Sequence, residues 1–191
     1  GTKLTGINYK MPIASAQVKS CLLLAGLNAE GVTEVIEPEV CRDHTERMLE
    51  GFGYPIERDQ NRSACALTGG YDLMATEIEV PGDISSAAFF IVAATITPHS
   101  NLLLEHIGIN PTRIGIILIL REMGANISLV NERIIGGEPV ADIRVKYSKL
   151  KGITIPIGQI PLGIDEFPVI FVAAACAAGN TFLRGAEELR V

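Results

Sequence analysis

The chain has 191 residues, of which 48% are hydrophobic and 20% are charged, and its formal net charge is −6. This length allows one sizeable domain or two small ones, and the composition is that of an ordinary globular protein. The acidic balance excludes a general nucleic-acid surface, although a small phosphorylated ligand needs only a few local cations. No apolar run is long enough to span a bilayer, so no membrane partner is expected.

The cysteines are widely spaced, and none belongs to a Cys-x-x-Cys pair. This spacing disfavours a zinc site and predicts reduced thiols in a cytosolic protein. The four residues are Cys21, Cys41, Cys65 and Cys176. The sequence begins at Gly1 rather than at Met and stops within a motif, so we expect a piece of a longer or processed protein.

The first predicted helix begins within residues 12–20, a stretch of small and polar side chains. Ser15 suits an N-cap, because its hydroxyl can accept a hydrogen bond from an amide of the first turn. A helix start with a serine, Gln17 and the nearby Lys19 also suits a phosphate or a carboxylate. A cap on a core helix without any ligand is the alternative. The apolar stripe that is expected to pack on a sheet contains Val18, Cys21, Leu22, Leu23, Leu24 and Leu27.

One pattern recurs along the chain: a helix start, a helix of small and apolar residues, a turn and a strand. It occupies residues 15–37, 83–105 and 165–185. In the first two copies a second helix follows, at 42–52 and 112–124. The pattern is a βαβαββ-like unit present about two and a half times, which predicts an α/β or mixed α+β fold.

The second helices are each followed by short predicted strands, at 55–58, 65–68 and 76–80 and at 126–129, 133–135 and 143–146. The glycine and alanine content of the first helix in each copy predicts helices buried on all sides. Pro81 and Gly82 make residues 80–82 a plausible crossing between domains.

The residues with useful chemistry collect in the first turns of the predicted helices. If the repeats pack side by side, these helix starts can converge on one cleft with their positive dipole ends directed inward, which suits phosphate and carboxylate groups. Repeated caps on repeated helices are the alternative. The segments concerned are 15–17, 42–45, 83–86, 110–113 and 165–166.

Several motifs resemble, in chain order, the signature motifs of the EPSP synthase (3-phosphoshikimate 1-carboxyvinyltransferase) family. The resemblance covers essentially all 191 residues, and the Ser-Ala-Gln form at 15–17 is similar to the bacterial class II enzymes. The motifs lie at 15–20, 41–49, 81–88, 110–113 with 122–125, 164–168 and 187–191.

The resemblance implies an enolpyruvyl transferase-like fold of two domains, each of three βαβαββ units, with the active site in the cleft between them. Residues 1–81 would then be the end of one domain and 82–191 a large part of the second. The implied reaction transfers the enolpyruvyl group of phosphoenolpyruvate to the 5-hydroxyl of shikimate 3-phosphate, without a metal or an organic cofactor. A monomeric cytoplasmic enzyme is expected.

The resemblance also assigns roles to individual residues. Asp165 is placed as the general base, a role that suits a carboxylate near a reacting hydroxyl, although a helix N-cap is its structural alternative. Arg42 is assigned to a substrate contact, as expected for a guanidinium that offers a fork of donors. Asp83 belongs to a motif near the domain crossing, where its role is substrate binding or purely structural. The shikimate 3-phosphate site contains Ser15, Ala16 and Gln17, the last also near phosphoenolpyruvate.

Neighbouring residues are interpreted as structural. Glu166 follows Asp165 in a predicted helix, where consecutive side chains point in different directions. Arg113 is expected to stabilise the repeat after an Asn-Pro turn. Cys41, beside Arg42, could have a lowered pKa, but the reaction needs no thiol.

Two family segments have no counterpart in the 191 residues: an amino-terminal lysine-containing region with its glycine-rich and arginine segments, and a Lys-Glu-Ser-Asp-Arg motif. We therefore expect the chain alone to be inactive and to bind substrate weakly at best. Two alternatives stay open. One is UDP-N-acetylglucosamine 1-carboxyvinyltransferase, and the other is a non-catalytic binding module.

Overall fold

The structure is a computed structural model that describes residues 2–59 and 61–190, including every side chain except those of Glu188 and Arg190. The chain divides into two compact units. The first unit contains Gly1–Glu79 and Gly136–Glu138, and the second contains Val80–Ile135 and Pro139–Val191.

The first unit combines two helices with two small sheets. In the larger sheet, β2 pairs in parallel with β4, which continues antiparallel through β6 to β5. In the smaller sheet β1 and β3 are parallel. The elements are β1 (Leu4–Thr5), β2 (Asn8–Lys10), α1 (Ala16–Gly26), β3 (Ala29–Glu30), β4 (Val32–Ile36), α2 (His44–Gly51), β5 (Glu57–Asp59) and β6 (Ala64–Thr68).

The second unit has three α-helices, short 3-10 segments and one three-stranded sheet, in the order β7-β9-β8. Its elements are α3 (Ile84–Ile96), β7 (Asn101–Gly108), α4 (Gly115–Glu122), β8 (Asn126–Ile135), β9 (Glu138–Lys146), α5 (Phe167–Ala175) and 3-10 segments at Ile157–Gln159, Pro161–Glu166 and Glu187–Arg190. The two-residue turn between β8 and β9 has positive φ at both Gly136 (56°) and Gly137 (83°). This conformation matches the twist of a hairpin and favours glycine.

The repeat predicted from the sequence is confirmed in the order of the elements. In both units a helix leads to a strand, a second helix and a hairpin, and the sheet orders β4-β6-β5 and β7-β9-β8 correspond. The parallel pairing of β2 with β4 is also matched by a single parallel bridge between Gly82 and Ile107 on β7. The fold is therefore mixed α/β and built from βαβαββ-like units, as expected.

Each unit has its own hydrophobic core. The core of the first unit lies between its helices and the sheet, and it contains Met11, Leu23, Val35, Leu49, Tyr54, Cys65 and Leu67. The core of the second unit is larger and packs α3, α4 and α5 against the sheet. Its fully buried residues include Ile91, Ile116, Leu120, Val145, Phe167 and Ile170. These cores hold the helix starts in place, because every helix that carries a candidate residue is anchored in one of them.

Four predictions about elements are wrong. The strand expected at the end of the third copy of the repeat is reduced to an isolated bridge at Phe182. Residues 76–80 form no strand, because no described segment supplies them with a backbone ladder. Residues 126–129 and 133–135 form one continuous strand, β8, instead of two. Residues 165–166 are also not part of a regular α-helix, since they lie in a 3-10 segment and α5 begins at Phe167.

Within the 191-residue chain the small-residue helices are buried on one face, so their burial on all sides stays a prediction for the complete protein. In α3, Ala87 and Ala88 face the core, whereas Phe89 and Phe90 are exposed. The stripe on α1 is likewise split, because Leu23 is fully buried while Val18, Cys21 and Leu24 are exposed. Small side chains permit close approach on one helix face only, and in the described chain the other face is uncovered.

No helix among the described residues has the length and apolar character needed to cross a membrane. In the same part of the chain, no group of three or more histidine, cysteine or acidic side chains is placed to hold a metal ion. All four cysteines are free thiols.

Candidate functional site

The start of α1 has the geometry of a small oxyanion cradle. Ser15 is the N-cap, and its Oγ accepts a hydrogen bond of 3.3 Å from the amide of Val18, as predicted. Its hydroxyl also lies 3.4 Å from Oε1 of Gln17, which is exposed and has an NH2 group suited to an anionic ligand. No acidic residue lies in the first turn of α1, so the positive end of the helix dipole is not offset there.

Arg42 lies directly before α2, in a segment that packs beside the start of α1. The thiol of Cys41 interacts with the backbone of Ser15. One turn later, the hydroxyls of Ser20 and Thr45 are 2.7 Å apart. These contacts bring the predicted residues of the first unit, Ser15–Gln17 and Arg42, to the same end of that unit.

Lys19 has a different role from the one expected, because it is buried and paired with two glutamates. Its ammonium group forms an ion pair with Glu37 and lies 2.7 Å from Oε1 of Glu46, and all three side chains are at most 7% exposed. Burial opposes the charged form, but the two carboxylates outweigh it and raise the pKa of Lys19. Lys19 is therefore a structural cation rather than a phosphate ligand.

Glu37 extends this buried ion cluster toward the candidate site. Its Oε2 accepts a hydrogen bond of 3.1 Å from the amide of Cys41, the residue before Arg42. Glu37 thus connects Lys19 on α1 with the backbone next to Arg42. No local pattern in the sequence indicates this cluster, since its three members come from separate segments.

A cavity of about 340 Å³ opens beside the buried ion cluster, and Ser15, Gln17 and Arg42 are not among its described lining residues. Cys41 and Cys65 both line it. Burial, with the negative charge of nearby glutamates, raises the pKa of both thiols, that of Cys65 to about 12. The suggestion of a lowered pKa for Cys41 is therefore wrong, and neither thiol is activated as a nucleophile.

In the second unit Asp83 caps α3. Its carboxylate accepts hydrogen bonds from the amides of Ser85 (3.2 Å) and Ser86 (2.8 Å) and from the Ser86 hydroxyl (2.8 Å). Burial opposes ionisation, but these hydrogen bonds, aided by the charge of Arg113, hold the pKa of Asp83 below its ordinary value. The structure gives Asp83 the structural role weighed for it, and substrate binding by Asp83 stays a prediction.

Asp165 lies on the 3-10 segment before α5 and is half exposed. It is not an N-cap, because Glu166 occupies that position of α5 and makes no side-chain capping bond. Nη2 of Arg113 lies 3.9 Å from a carboxylate oxygen of Asp165 and 3.9 Å from one of Asp83. The two candidate acids of the second unit therefore share one guanidinium.

Arg113 and Glu166 were interpreted as structural residues, but both lie in a network of contacts beside the candidate acids. Arg113 donates a hydrogen bond of 2.5 Å to the hydroxyl of Ser85, and this hydroxyl donates to the buried carboxylate of Glu166. The sequence did contain a hint of these contacts, because segments 83–86, 110–113 and 165–166 were all predicted as helix starts that could converge. The interpretation of Arg113 as a turn stabiliser did not use this hint.

The two groups differ in what they can do chemically. The group at α1 offers neutral donors and a cation, which suits an oxyanion such as phosphate. The group around Arg113 presents two exposed carboxylates, which suits acceptance of a proton from a hydroxyl.

Known proteins resemble the chain over its full length. A sequence model of the EPSP synthase (3-phosphoshikimate 1-carboxyvinyltransferase) family matches residues 1–191. The 3-phosphoshikimate 1-carboxyvinyltransferases of Methylococcus capsulatus and Hydrogenovibrio crunogenus are 64% and 63% identical over 100% and 98% of this chain. The chain spans 43% of the length of each of these relatives.

Solved structures give the same result. A structure of EPSP synthase from Acinetobacter baumannii is 59% identical and superposes with a TM-score of 0.95, covering 100% of this chain and 43% of that one. The enolpyruvyl transferase NikO from Streptomyces tendae shares the fold, with a TM-score of 0.62 at 18% identity over 86% of this chain and 38% of its own. By sequence and by fold, the chain belongs to the EPSP synthase family.

Proposed function

We propose that the protein containing this chain transfers the enolpyruvyl group of phosphoenolpyruvate to the 5-hydroxyl of shikimate 3-phosphate, in the shikimate pathway to chorismate and aromatic amino acids. The observation that carries the proposal is the family match over all 191 residues, which includes every residue that the motif resemblance assigns to the site. The proposal concerns the whole protein, since the chain spans 43% of its relatives.

In this proposal the first unit binds shikimate 3-phosphate. The neutral start of α1 supplies Ser15, the backbone at Ala16 and the amide of Gln17 as donors, and Arg42 supplies a charged fork. A hydrogen bond to a charged group contributes about 1.5–3 kcal/mol, so a few such donors suffice to hold a phosphate ester. Gln17 also lies near phosphoenolpyruvate.

In the second unit Asp165 accepts the proton of the 5-hydroxyl. The hydroxyl oxygen bonds to C2 of phosphoenolpyruvate while the methylene carbon takes up a proton, which gives a tetrahedral intermediate. Loss of phosphate and of a proton from the new methyl group then restores the double bond, so atoms and charges balance without a cofactor. A half-exposed carboxylate such as Asp165 can exchange its proton with solvent between turnovers.

The test expresses the complete coding sequence that contains these residues and measures phosphate release from phosphoenolpyruvate with either shikimate 3-phosphate or UDP-N-acetylglucosamine as acceptor. Turnover with shikimate 3-phosphate alone is expected. Asp165→Asn should lower kcat by about 100-fold or more, in line with the loss of a general base, whereas the exposed control Asp72→Asn should change nothing. Turnover only with the nucleotide sugar, or with neither acceptor, contradicts the proposal.

The proposal extends to the chain by itself, which we expect to be inactive because it lacks the family's lysine-containing and Lys-Glu-Ser-Asp-Arg segments. Measurable turnover by the purified 191-residue chain would contradict this. We also propose a monomeric cytoplasmic enzyme, which size-exclusion chromatography and cell fractionation can check.

A further inference from the structure

We propose that Arg113 is a positioning residue that fixes the carboxylate of Asp165, and that Glu166 and Ser85 are the anchor that holds Arg113. The inference rests on the proposed function, because a fixed Asp165 carboxylate matters for the proton transfer described above. Arg113 itself touches no reacting atom in this account.

The anchor is buried. Glu166 has a side chain that is 1% exposed, and its Oε1 lies 3.5 Å from Nη2 of Arg113. The Ser85 hydroxyl accepts from Arg113 and donates to Glu166, so two hydrogen bonds and one ion pair join the three side chains. A buried carboxylate needs a nearby cation, so Arg113 is held firmly and is itself only 15% exposed.

The same guanidinium nitrogen also faces two half-exposed acids. Asp165 and Asp83 each place a carboxylate oxygen 3.9 Å from Nη2, and Asp83 is fixed independently by its capping bonds. Without the cation, the carboxylates of Asp165, Asp83 and Glu166 would repel one another, and Asp165 would turn outward. Arg113 therefore determines where the Asp165 carboxylate lies.

The backbone supports the same arrangement. Gly115, at the start of α4, packs against the 3-10 segment that carries Asp165, and a Cβ at this position would lie 2.4 Å from the amide nitrogen of Gly163. Arg113 precedes Gly115 by two residues, and Asp165 follows Gly163 by two. This backbone contact therefore sets the distance between the guanidinium and the carboxylate.

A lysine in place of Arg113 would keep the positive charge that Glu166 requires. Its side chain is one atom shorter, however, so its ammonium group falls short of the position from which Nη2 contacts the serine and the acids. Arg113→Lys is thus the informative variant, and Arg121→Lys is its matched control. Arg121 lies on α4, the helix that follows Arg113, but it donates to the carbonyl of Ile127 instead of facing acids of the site.

The experiment measures kcat and KM of the complete protein for Arg113→Lys with Asp165 intact, and single-turnover rates in an Asp165→Asn background. We expect Arg113→Lys to lower kcat by about 10-fold with KM nearly unchanged, since misplacement of a reacting group costs rate rather than binding. In the Asp165→Asn background the same change should cost less than about 2-fold, because the effect passes through Asp165. Arg121→Lys should have no effect in either background.

An equal loss in both backgrounds would show a general structural role and overturn the inference, as would an unchanged kcat. If Arg113→Lys does not fold, Glu166→Gln decides by the same criterion, because it loosens the anchor without an unpaired buried charge. Crystals of the variant give a readout independent of activity, in which the Asp165 carboxylate should be displaced. Wild-type turnover tests the proposed function separately, so the two failures are distinguishable.

Discussion

The two units differ in how the cation near the equivalent helix start is used: it is buried in the first unit and contacts an exposed acid in the second. In the first unit Lys19 is sealed between Glu37 and Glu46, and the start of α1 is left with neutral caps and no acidic residue in its first turn. In the second unit the start of α3 is capped by Asp83, and the cation Arg113 is shared with the exposed Asp165.

This difference teaches how one repeat supports two kinds of chemistry. A neutral cap leaves the positive end of a helix open to an oxyanion, whereas an acidic cap occupies it and repels further anions. The same position in the repeat is therefore suited to substrate binding in one unit and to an acidic, proton-accepting group in the other. The buried charges also have different roles. In the first unit, Lys19 and its two glutamates stabilise the unit. In the second unit, the pair of Arg113 and Glu166 holds the Asp165 side chain in position.

The largest expected effect on stability comes from breaking the ion cluster of the first unit. Lys19→Met leaves two buried carboxylates without a cation, which should destabilise the unit by about 3–5 kcal/mol. Urea unfolding of the complete protein, combined with hydrogen exchange of the α1 and α2 amides, measures this loss. Lys3→Met is the control, because Lys3 pairs with Glu30 at the surface (2.6 Å) and should contribute little.

The same cluster has a predicted pH dependence. The pKa of Lys19 is raised in the folded state, so its contribution is complete below the ordinary lysine pKa and is lost as pH rises through the folded value. The stability difference between wild type and Lys19→Met should therefore be constant across neutral pH and shrink only at strongly alkaline pH. A difference that vanishes near pH 7 would contradict a charged, buried Lys19.

A smaller effect is expected at the backbone contact of the second unit. In Gly115→Ala the new Cβ meets backbone atoms of Leu162 and Gly163, which cannot move without shifting the segment that carries Asp165. We expect a loss of about 1–3 kcal/mol from overpacking and a fall in kcat. Gly158→Ala is the control, since a Cβ there meets nothing within 4 Å. Equal behaviour of the two variants in thermal unfolding and turnover would remove this support for the arrangement.

The smallest effect concerns the acidic cap. Asp83→Ala should cost about 1 kcal/mol, whereas Asp83→Asn should cost less, because asparagine is also a good N-cap. The pKa of Asp83 is lowered in the folded state, so its contribution is present above the ordinary aspartate pKa and disappears as pH falls through the folded value. Unfolding at several pH values between about 2 and 6 should show the full Asp83→Ala difference above the ordinary aspartate pKa and its progressive loss at lower pH.

Local chemistry made much of the fold predictable. Ser15 caps α1 as its residue type suggests, and the period of the repeat gave the order of helices and strands in both units. The strand expected at 76–80 failed because pairing depends on a partner segment, which a local pattern cannot show.

Within the candidate site, sequence patterns found the positions but not the partnerships. Lys19 was expected near a ligand, yet it pairs with Glu37 and Glu46, which are 18 and 27 residues away by their numbering. Arg113 was interpreted as a turn stabiliser because its contact with Asp165 joins residues that are 52 positions apart by their numbering. Contacts between distant segments are set by packing, and no local spacing encodes them.

The most direct measurement is a calorimetric titration of the complete protein with shikimate 3-phosphate, for wild type, Arg42→Ala and Asp165→Asn, with kcat measured in parallel. If the first unit binds and the second supplies the proton acceptor, Arg42→Ala should raise Kd by about 10-fold or more, and Asp165→Asn should change kcat far more than Kd. If Asp165→Asn weakens binding as much as Arg42→Ala while kcat falls no further, the division of roles between the two units is contradicted.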